Sequence, residues 1–270
     1  YLMNREEYPY LEGGKFHKND IKDCINPEFF TELFKNLKKK HSRDFRKHNV
    51  DLVVGGPPCQ GFSGIGLRRS YSVEKNQLPS NQLFQDMAYF VHKIRPKIFL
   101  FENVEGLLRG RWSKEGEKGE IFEEVFNTFK NIPDYIVKYK LVRASQYGVP
   151  QNRPRLLIVG INKKIQKNPP ETLDALEAKF LPEPSNGYPD LIDVLGDIID
   201  PKFKPGKLYG GSTTQYPFPR DKKSDIQKYF RTRKDETIAG KGHFLTEHDY
   251  SNHRLETRNK FQAMINNGGV

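Results

Sequence analysis

Short apolar runs alternate with amphipathic segments between residues 51 and 161, and this alternation constrains the fold of the 270-residue chain more than any other feature. Four runs rich in β-branched and aromatic residues predict buried strands, at 51–54, 97–101, 135–142 and 156–161. Helical apolar spacing predicts helices between them, at 82–94 and 119–130, and Arg95-Pro96 predicts the end of the first helix. Because a strand, helix, strand succession implies a parallel crossover, we predict an α/β fold with a doubly wound, mostly parallel sheet.

The flanking segments are less regular. Residues 27–40 place Phe30, Leu33, Phe34 and Leu37 on one face of a predicted helix, and a basic stretch follows at 38–48. Beyond residue 165 the pattern weakens into Pro- and Lys-rich segments, with helical spacing at 171–180 and 190–199 and a polar stretch at 201–250. We therefore predict a domain boundary near residue 200, between a domain at 1–200 and a second region at 201–270.

Charge and cysteine content narrow the functional classes. The net charge of +11 suits a polyanionic partner, since Lys and Arg contacts to phosphates dominate nucleic-acid affinity. Neither a signal segment nor an apolar run near the roughly 18 residues of a membrane span is present, so a soluble intracellular protein with no membrane partner is expected. Cys24 and Cys59 lie far apart without CxxC spacing, which predicts neither a disulfide framework nor a metal site.

Cys59 follows the first predicted strand in an unusual loop, GGPPCQGFSGIG at 55–66. Prolines fix φ and glycines let other groups approach the backbone, so such a loop can hold one side chain toward a ligand. The alternative is a small buried cysteine that caps a strand. The polar segment up to residue 80 is too long and charged for a plain connection, and such loops usually carry function or move.

Polar groups also follow or precede other predicted strands. The second strand leads directly to Glu102, which faces the same crevice as Cys59 if the two strands are neighbours. Gln151, Arg153 and Arg155 alternate ahead of the last strand, so in extended structure they share one face that suits a phosphate or a base edge. An ordinary salt-bridged strand edge is the alternative. No histidine is placed by sequence near Cys59, and addition of the thiolate to an electron-poor ring fits better than hydrolysis.

Three segments together resemble the cytosine-5 DNA methyltransferases: GGPPCQGFSGIG, FENVEGLL and YGVPQNRPRLLIVG, in that order within residues 20–161. The resemblance implies methyl transfer from S-adenosylmethionine to carbon 5 of a flipped cytosine in duplex DNA, through a covalent adduct with Cys59. It further implies that Glu102 hydrogen-bonds the cytosine ring, that Arg153 and Arg155 fix the base, and that a loop at 61–80 closes over the flipped base.

Other roles follow from the same resemblance. It implies that Gln60, Ser63 and Gln151 lie against DNA. It also implies that four residues bind S-adenosylmethionine: Asp20, Ile21, Pro58 and Leu83. Residues 1–200 would form the catalytic domain and 201–270 would lead into a target-recognition region. A monomer is expected, in the cytoplasm near the nucleoid of a prokaryote or in a eukaryotic nucleus, with a restriction endonuclease as a candidate counterpart.

The chain departs from the family pattern at several positions. The family's Phe-x-Gly-x-Gly cofactor loop and its closing segments are missing, so we expect an internal fragment of a longer enzyme. SNQLF at 80–84 lacks the usual Asp-x-Arg, Pro154 replaces a frequent glutamate, and the long spacing from Asp20 to Cys59 suggests an inserted helix. Two alternatives stay open: a tRNA cytosine-5 methyltransferase, against which Ser63 argues because threonine is usual there, and a catalytically silent DNA-binding fragment.

Overall fold

The computed structural model describes residues 20–41, 50–58, 79–113, 115–165, 183–185, 187–199, 223–233, 235–243 and 253–267. The chain divides into two compact units: Tyr1–Tyr147 with Asn152–Asn186, and Gly148–Gln151 with Gly187–Val270. The division that we predict near residue 200 stays a prediction, and the helical pattern at 171–180 lies outside the described residues.

The first unit contains the alternating elements that the sequence predicts. Its helices are α1 (Pro27–His41), α2 (Leu83–Ile94) and α3 (Glu120–Lys130), and its strands are β1 (Leu52–Gly55), β2 (Ile98–Val104), β3 (Tyr135–Arg143) and β4 (Pro154–Asn162). Helix α2 ends where Arg95 adopts a left-handed conformation with φ of 54°, directly before Pro96. The predicted stop at Arg95-Pro96 is therefore confirmed, because proline disfavours helical backbone in the residue before it.

The four strands form one mixed sheet in the order β1-β2-β4-β3. Strand β1 pairs with β2 in parallel, whereas β4 is antiparallel to both β2 and β3, so three of the four strands share one direction. The connections that contain α2 and α3 are long enough for parallel crossovers. Residues 144–153 are fewer than the dozen or so that a crossover needs, and β4 therefore returns antiparallel to β3. The predicted α/β class with a mostly parallel sheet is confirmed, and the reversed β4 is a feature that we did not predict.

Helices α2 and α3 cover one face of the sheet with a largely aromatic core. Phe99 and Phe101 of β2 are fully buried, and Phe129 of α3 lies 5.3 and 5.1 Å from their ring centroids. Helix α1 packs outside α2, with the Phe30 and Phe90 centroids 5.2 Å apart. Because side chains alternate along a strand, burial of Phe99 and Phe101 directs Glu102 to the opposite face of the sheet.

A polar cluster joins the elements at the end of the sheet where β2 and β3 begin. Arg95 forms an ion pair with Asp134 and donates from Nη1 to the Pro133 carbonyl over 2.8 Å. The Lys164 ammonium lies 2.6 Å from the same carboxylate, and its hydrogen bond is the main cause that lowers the pKa of Asp134. The buried Tyr135 hydroxyl donates to the Pro96 carbonyl over 2.5 Å, and burial raises the pKa of this phenol. These contacts close the end of the sheet that lies away from Glu102.

The second unit contains three described helices: α4 (Leu191–Leu195), α5 (Asp225–Arg231) and α6 (Leu255–Asn266). The buried Asp197 carboxylate accepts from the Lys223 ammonium and from Arg231, whose Nη2 is 2.8 Å away, so it joins the α4 and α5 segments. Helix α5 begins inside the stretch that we interpreted only as polar. Its signal is a capping box between Ser224 and Gln227. Among the described residues, no helix has the length and apolar character needed to cross a membrane.

Candidate active site

The segment that leads to Cys59 starts against Glu102 and Asn103. Gly55, the last residue of β1, pairs with Phe101 of β2, which confirms that the two strands are neighbours. A Cβ at the next residue, Gly56, would lie 3.0 Å from the Glu102 carboxylate. The Asn103 amide donates from Nδ2 to the Pro57 carbonyl over 3.2 Å. The base of the loop is thus fixed to the strand end that carries Glu102.

Some predicted site residues lie beyond this point of the loop. Cys59, Gln60 and Ser63 are outside the described residues, as are residues 61–78 of the predicted closing loop.

Glu102 and Arg155 form an ion pair across β2 and β4. The register pairs Glu102 with Leu157 and Val104 with Arg155, so the two charged side chains are diagonal neighbours on one face. Arg155 Nε lies 2.5 Å from Glu102 Oε1, and the two side chains are 20% and 39% exposed. Arg155 Nη1 also donates to the Pro154 carbonyl over 2.8 Å. The guanidinium therefore orients the carboxylate beside Gly56 and leaves it accessible from outside.

The other two members of the predicted polar cluster are placed differently. Strand β4 begins only at Pro154, so the extended structure that we expected from Gln151 to Arg155 is shorter than predicted. Gln151 lies in a bend, where its N–H donates to the Val149 carbonyl over 2.7 Å. Arg153 is exposed, and its carbonyl accepts from the Ala144 N–H over 3.1 Å. Of the three residues, Arg155 alone lies within the strand.

A cavity of about 680 Å³ lies on the other side of the loop base. All four residues predicted to bind the cofactor line it: Asp20, Ile21, Pro58 and Leu83. The Asp20 carboxylate accepts from the Lys22 N–H over 2.9 Å and so starts the short 3-10 turn Ile21–Cys24. The volume falls within the roughly 300–1,000 Å³ that small-molecule sites occupy.

The structure adds residues to the site that sequence reasoning missed. Met87 and Phe90 line the cavity together with Leu83, and the helical spacing of these three residues along α2 was the available signal. Lys22 also lines the cavity, next to the predicted Asp20. Asn103, adjacent to Glu102 in sequence, anchors the Cys59 loop and has no such periodic signal.

Two charged residues that line the cavity affect one carboxyl group of α2. Burial raises the pKa of Asp86, with the nearby Asp20 carboxylate acting in the same direction and Lys22 opposing it. Among the described residues, no group of three or more His, Cys, Asp or Glu side chains is arranged to hold a metal ion. The described part of the site therefore combines an apolar cavity, a few charged groups and the Glu102–Arg155 pair.

Comparison with known families gives the context of this geometry. The family model for C-5 cytosine-specific DNA methylases matches residues 20–268. The chain belongs to this family. The segments that carry Glu102, Arg155 and the cavity all lie within the matched region, and the resemblance seen in the sequence is confirmed.

Three curated relatives are Type II methyltransferases. M.XorII of Xanthomonas oryzae pv. oryzae is 32% identical over 211 residues, covering 75% of this chain and 44% of the relative. M1.ScrFI of Lactococcus lactis subsp. cremoris is 31% identical over 184 residues, with 68% and 42% coverage. M.NmeDI of Neisseria meningitidis serogroup C is 30% identical over 248 residues, with 86% and 51% coverage. The chain thus spans about half the length of the curated relatives that it matches.

Proposed function

We propose that this chain supplies the catalytic residues of an enzyme that methylates carbon 5 of cytosine in duplex DNA. One observation carries the proposal: the backbone from Gly55 to Pro58 lines the cavity on one side and contacts the Glu102–Asn103 strand end on the other. A methyl donor in the cavity and a base held by Glu102 would therefore meet at the loop that leads to Cys59. Membership of the cytosine-5 methylase family supports the same assignment.

The reaction requires activation of the cytosine ring, because C5 by itself is a poor nucleophile. The Cys59 thiolate adds to C6, and the electron pair of the C5–C6 bond becomes available at C5 as an enamine. When bound, S-adenosylmethionine would supply the enamine with an electrophilic methyl group: the new bond forms to C5, the S–CH3 bond breaks, and the sulfur would keep the electron pair and leave as the thioether S-adenosylhomocysteine. The C5 proton then passes to water, the C5–C6 double bond re-forms, and the thiolate leaves.

Glu102 and Arg155 would stabilise the charge that develops on the ring. Glu102 hydrogen-bonds N3 and the exocyclic amine of the flipped base, and the guanidinium of Arg155 holds the carboxylate in position. Since C6 is stacked inside a duplex, the base has to leave the helix to reach these groups. Residues 61–80 are the proposed loop that closes over it.

The cavity is the proposed site of S-adenosylmethionine, and its lining fits that molecule. Asp20 and Lys22 provide opposite charges for the polar parts of the donor, while Leu83, Met87 and Phe90 form an apolar wall. This mixture suits a ligand that combines an adenosine with a charged amino acid. Ile21 and Pro58 complete the proposed contacts from two further directions.

Duplex DNA is the proposed partner, and the net charge of +11 favours it. Gln60, Ser63 and Gln151 are proposed to face the DNA, and Arg153 is proposed to fix the flipped base and the nearby backbone. The Type II relatives support a role in restriction-modification, with a restriction endonuclease as counterpart and with action in the prokaryotic cytoplasm where the DNA lies. We propose a monomer, in which residues 1–200 form the catalytic domain and residues 201–270 lead toward target recognition.

The decisive experiment is a base-resolution map of 5-methylcytosine in the DNA of cells that express the full-length protein or its Cys59→Ser variant. We expect methylation at one recurring short sequence, lost in the variant although DNA binding in a gel-shift assay persists. Cys24→Ala is the matched control, because it removes the other cysteine and should retain methylation. Methylation that survives Cys59→Ser would refute the nucleophile assignment, and none in the wild type would favour the tRNA or silent-module alternatives.

A further inference from the structure

Arg143 occupies a position that connects all three strand ends around the Glu102–Arg155 pair. It is the last residue of β3 and pairs in register with Pro154, the neighbour of Arg155. Its Nη2 lies 3.8 Å from Glu105 Oε1, just beyond the end of β2. Its Nη1 donates to the Asn152 side-chain oxygen over 3.2 Å, just ahead of β4.

Arg143 does not share the face of Arg155. Counting alternate residues from the buried Tyr135 and Val137 places Arg143 on the helix-covered face of the sheet. Arg155 precedes the buried Leu156 and so lies on the opposite face, with Glu102. Any influence of Arg143 on the reaction must therefore pass through the residues that it holds.

We infer that Arg143 is a positioning residue that fixes the Asn152–Arg153 segment relative to the end of β2. This inference rests on the proposed function, in which Arg153 fixes the flipped base and the nearby backbone. The guanidinium holds Asn152 from one side, and the Ala144 N–H holds the Arg153 carbonyl over 3.1 Å from the other. A forked, planar cation can bind two acceptors in fixed directions at once, which a lysine ammonium does less well.

A role in overall stability does not account for this arrangement. The Arg143 and Glu105 side chains are 41% and 36% exposed, and an ion pair so accessible to water adds little to stability. The same sheet offers a matched control in Arg95, whose guanidinium also reaches a carboxylate and a second acceptor. Arg95 lies at the opposite end of the strands, away from Glu102. Comparing substitutions of the two arginines therefore distinguishes an effect on the position of the Asn152–Arg153 segment from an effect on overall stability.

The test compares Arg143→Gln, Arg143→Lys and Arg95→Gln in the full-length protein, by methylation kinetics and by thermal melting. We expect Arg143→Gln to lower kcat/KM for DNA roughly tenfold. A 1 Å misplacement of a reacting group lowers the rate about a hundredfold, and a segment that is only less tightly held should lower it by a smaller factor. The Kd of S-adenosylmethionine should change less than twofold. Arg143→Lys should recover part of the loss. Arg95→Gln should lower the melting temperature and leave kcat/KM for DNA unchanged.

Two further measurements keep the outcome interpretable. In a double-mutant cycle, the Arg143→Gln, Asn152→Ala double variant should have the same kcat/KM as the more damaging single variant, because both substitutions remove the same hydrogen bond. Hydrogen–deuterium exchange of residues 144–153 should accelerate in Arg143→Gln and not in Arg95→Gln. This readout needs no activity, so an inactive wild-type protein would count against the proposed function and leave the positioning testable. Unchanged exchange, or losses in kcat/KM that match those of Arg95→Gln, would overturn the inference.

Discussion

Replacing Gly160 by alanine should destabilise the first unit strongly, because β4 passes directly over an aromatic ring at this position. An added Cβ would lie 1.9 Å from Cε1 and 2.2 Å from Cζ of Phe99. The Phe99 ring is fully buried, stacks on Phe129 at 5.3 Å and contacts Tyr135 at 5.3 Å. The ring cannot move aside without displacing its neighbours, since such interiors are close-packed.

Two opposing effects set the change in the free energy of unfolding caused by Gly160→Ala. Alanine restricts the unfolded chain more than glycine does, which by itself would stabilise the protein by about 0.4–1 kcal/mol. Overpacking typically costs about 1–3 kcal/mol, and a contact below 2 Å against a ring confined on both sides belongs at the upper end or beyond. The clash therefore prevails, with an expected net loss of about 2–3 kcal/mol. For a unit of this size that corresponds to a fall in Tm of roughly 4–12 °C.

Chemical denaturation and thermal melting of the full-length protein would measure the loss. Gly196→Ala is the matched control, since its Cβ would have no neighbour closer than 3.5 Å, and it should change the free energy of unfolding by less than about 0.5 kcal/mol. Phe99→Leu should cost less in the Gly160→Ala background than alone, because it removes the atoms that clash. A loss below about 1 kcal/mol for Gly160→Ala, or strictly additive effects of the two changes, would refute the packing argument.

Two further predictions concern the cavity and the polar cluster. Phe90→Ala should weaken S-adenosylmethionine binding about tenfold, or roughly 1.4 kcal/mol by isothermal titration, because it removes part of the apolar wall. The control is Phe122→Ala, which lies outside the cavity and should leave this affinity unchanged. Equal losses of affinity in the two variants would disprove the site. The lowered pKa of Asp134 means that its contacts stabilise the fold above the ordinary carboxyl pKa and are lost as pH falls through the lowered value. Asp134→Asn should therefore be less stable than the wild type at neutral pH, and this difference in stability should shrink as the pH falls below about 4. A difference that stays constant in pH-dependent melting would contradict this assignment.

Local sequence patterns were sufficient to predict most helices and strands of the first unit. The period of apolar residues predicted α1, α2 and α3 and all four strands to within a few residues. Proline at 96 and the glycines after β1 marked the ends of elements, because these residues restrict or free the backbone irrespective of distant contacts. Glu102 could be placed at the site because it follows the predicted strand 97–101, whose neighbour leads to Cys59, although β2 itself continues to Val104.

Other features had no local signal. The sequence predicted extended structure from Gln151 onward, whereas the bend at 149–151 delays β4 to Pro154. Helix α5 was missed because its short polar sequence lacks apolar periodicity, although its capping box was readable. Asn103 was missed because its partner, the Pro57 carbonyl, is distant in sequence and is a backbone atom that no residue pattern reveals.

In the first unit, the sequence by itself therefore determined which segments become strands and helices, to within a few residues, which of their faces are buried and which chemical groups they offer. Only the tertiary structure decided that β4 inserts between β2 and β3, and hence that Arg155 is the partner of Glu102. It also decided that Asp20 and Leu83, far apart in the chain, line one cavity. The physical reason is that periodicity records the environment of single residues, whereas strand order, register and cavities depend on the packing of segments distant in the chain.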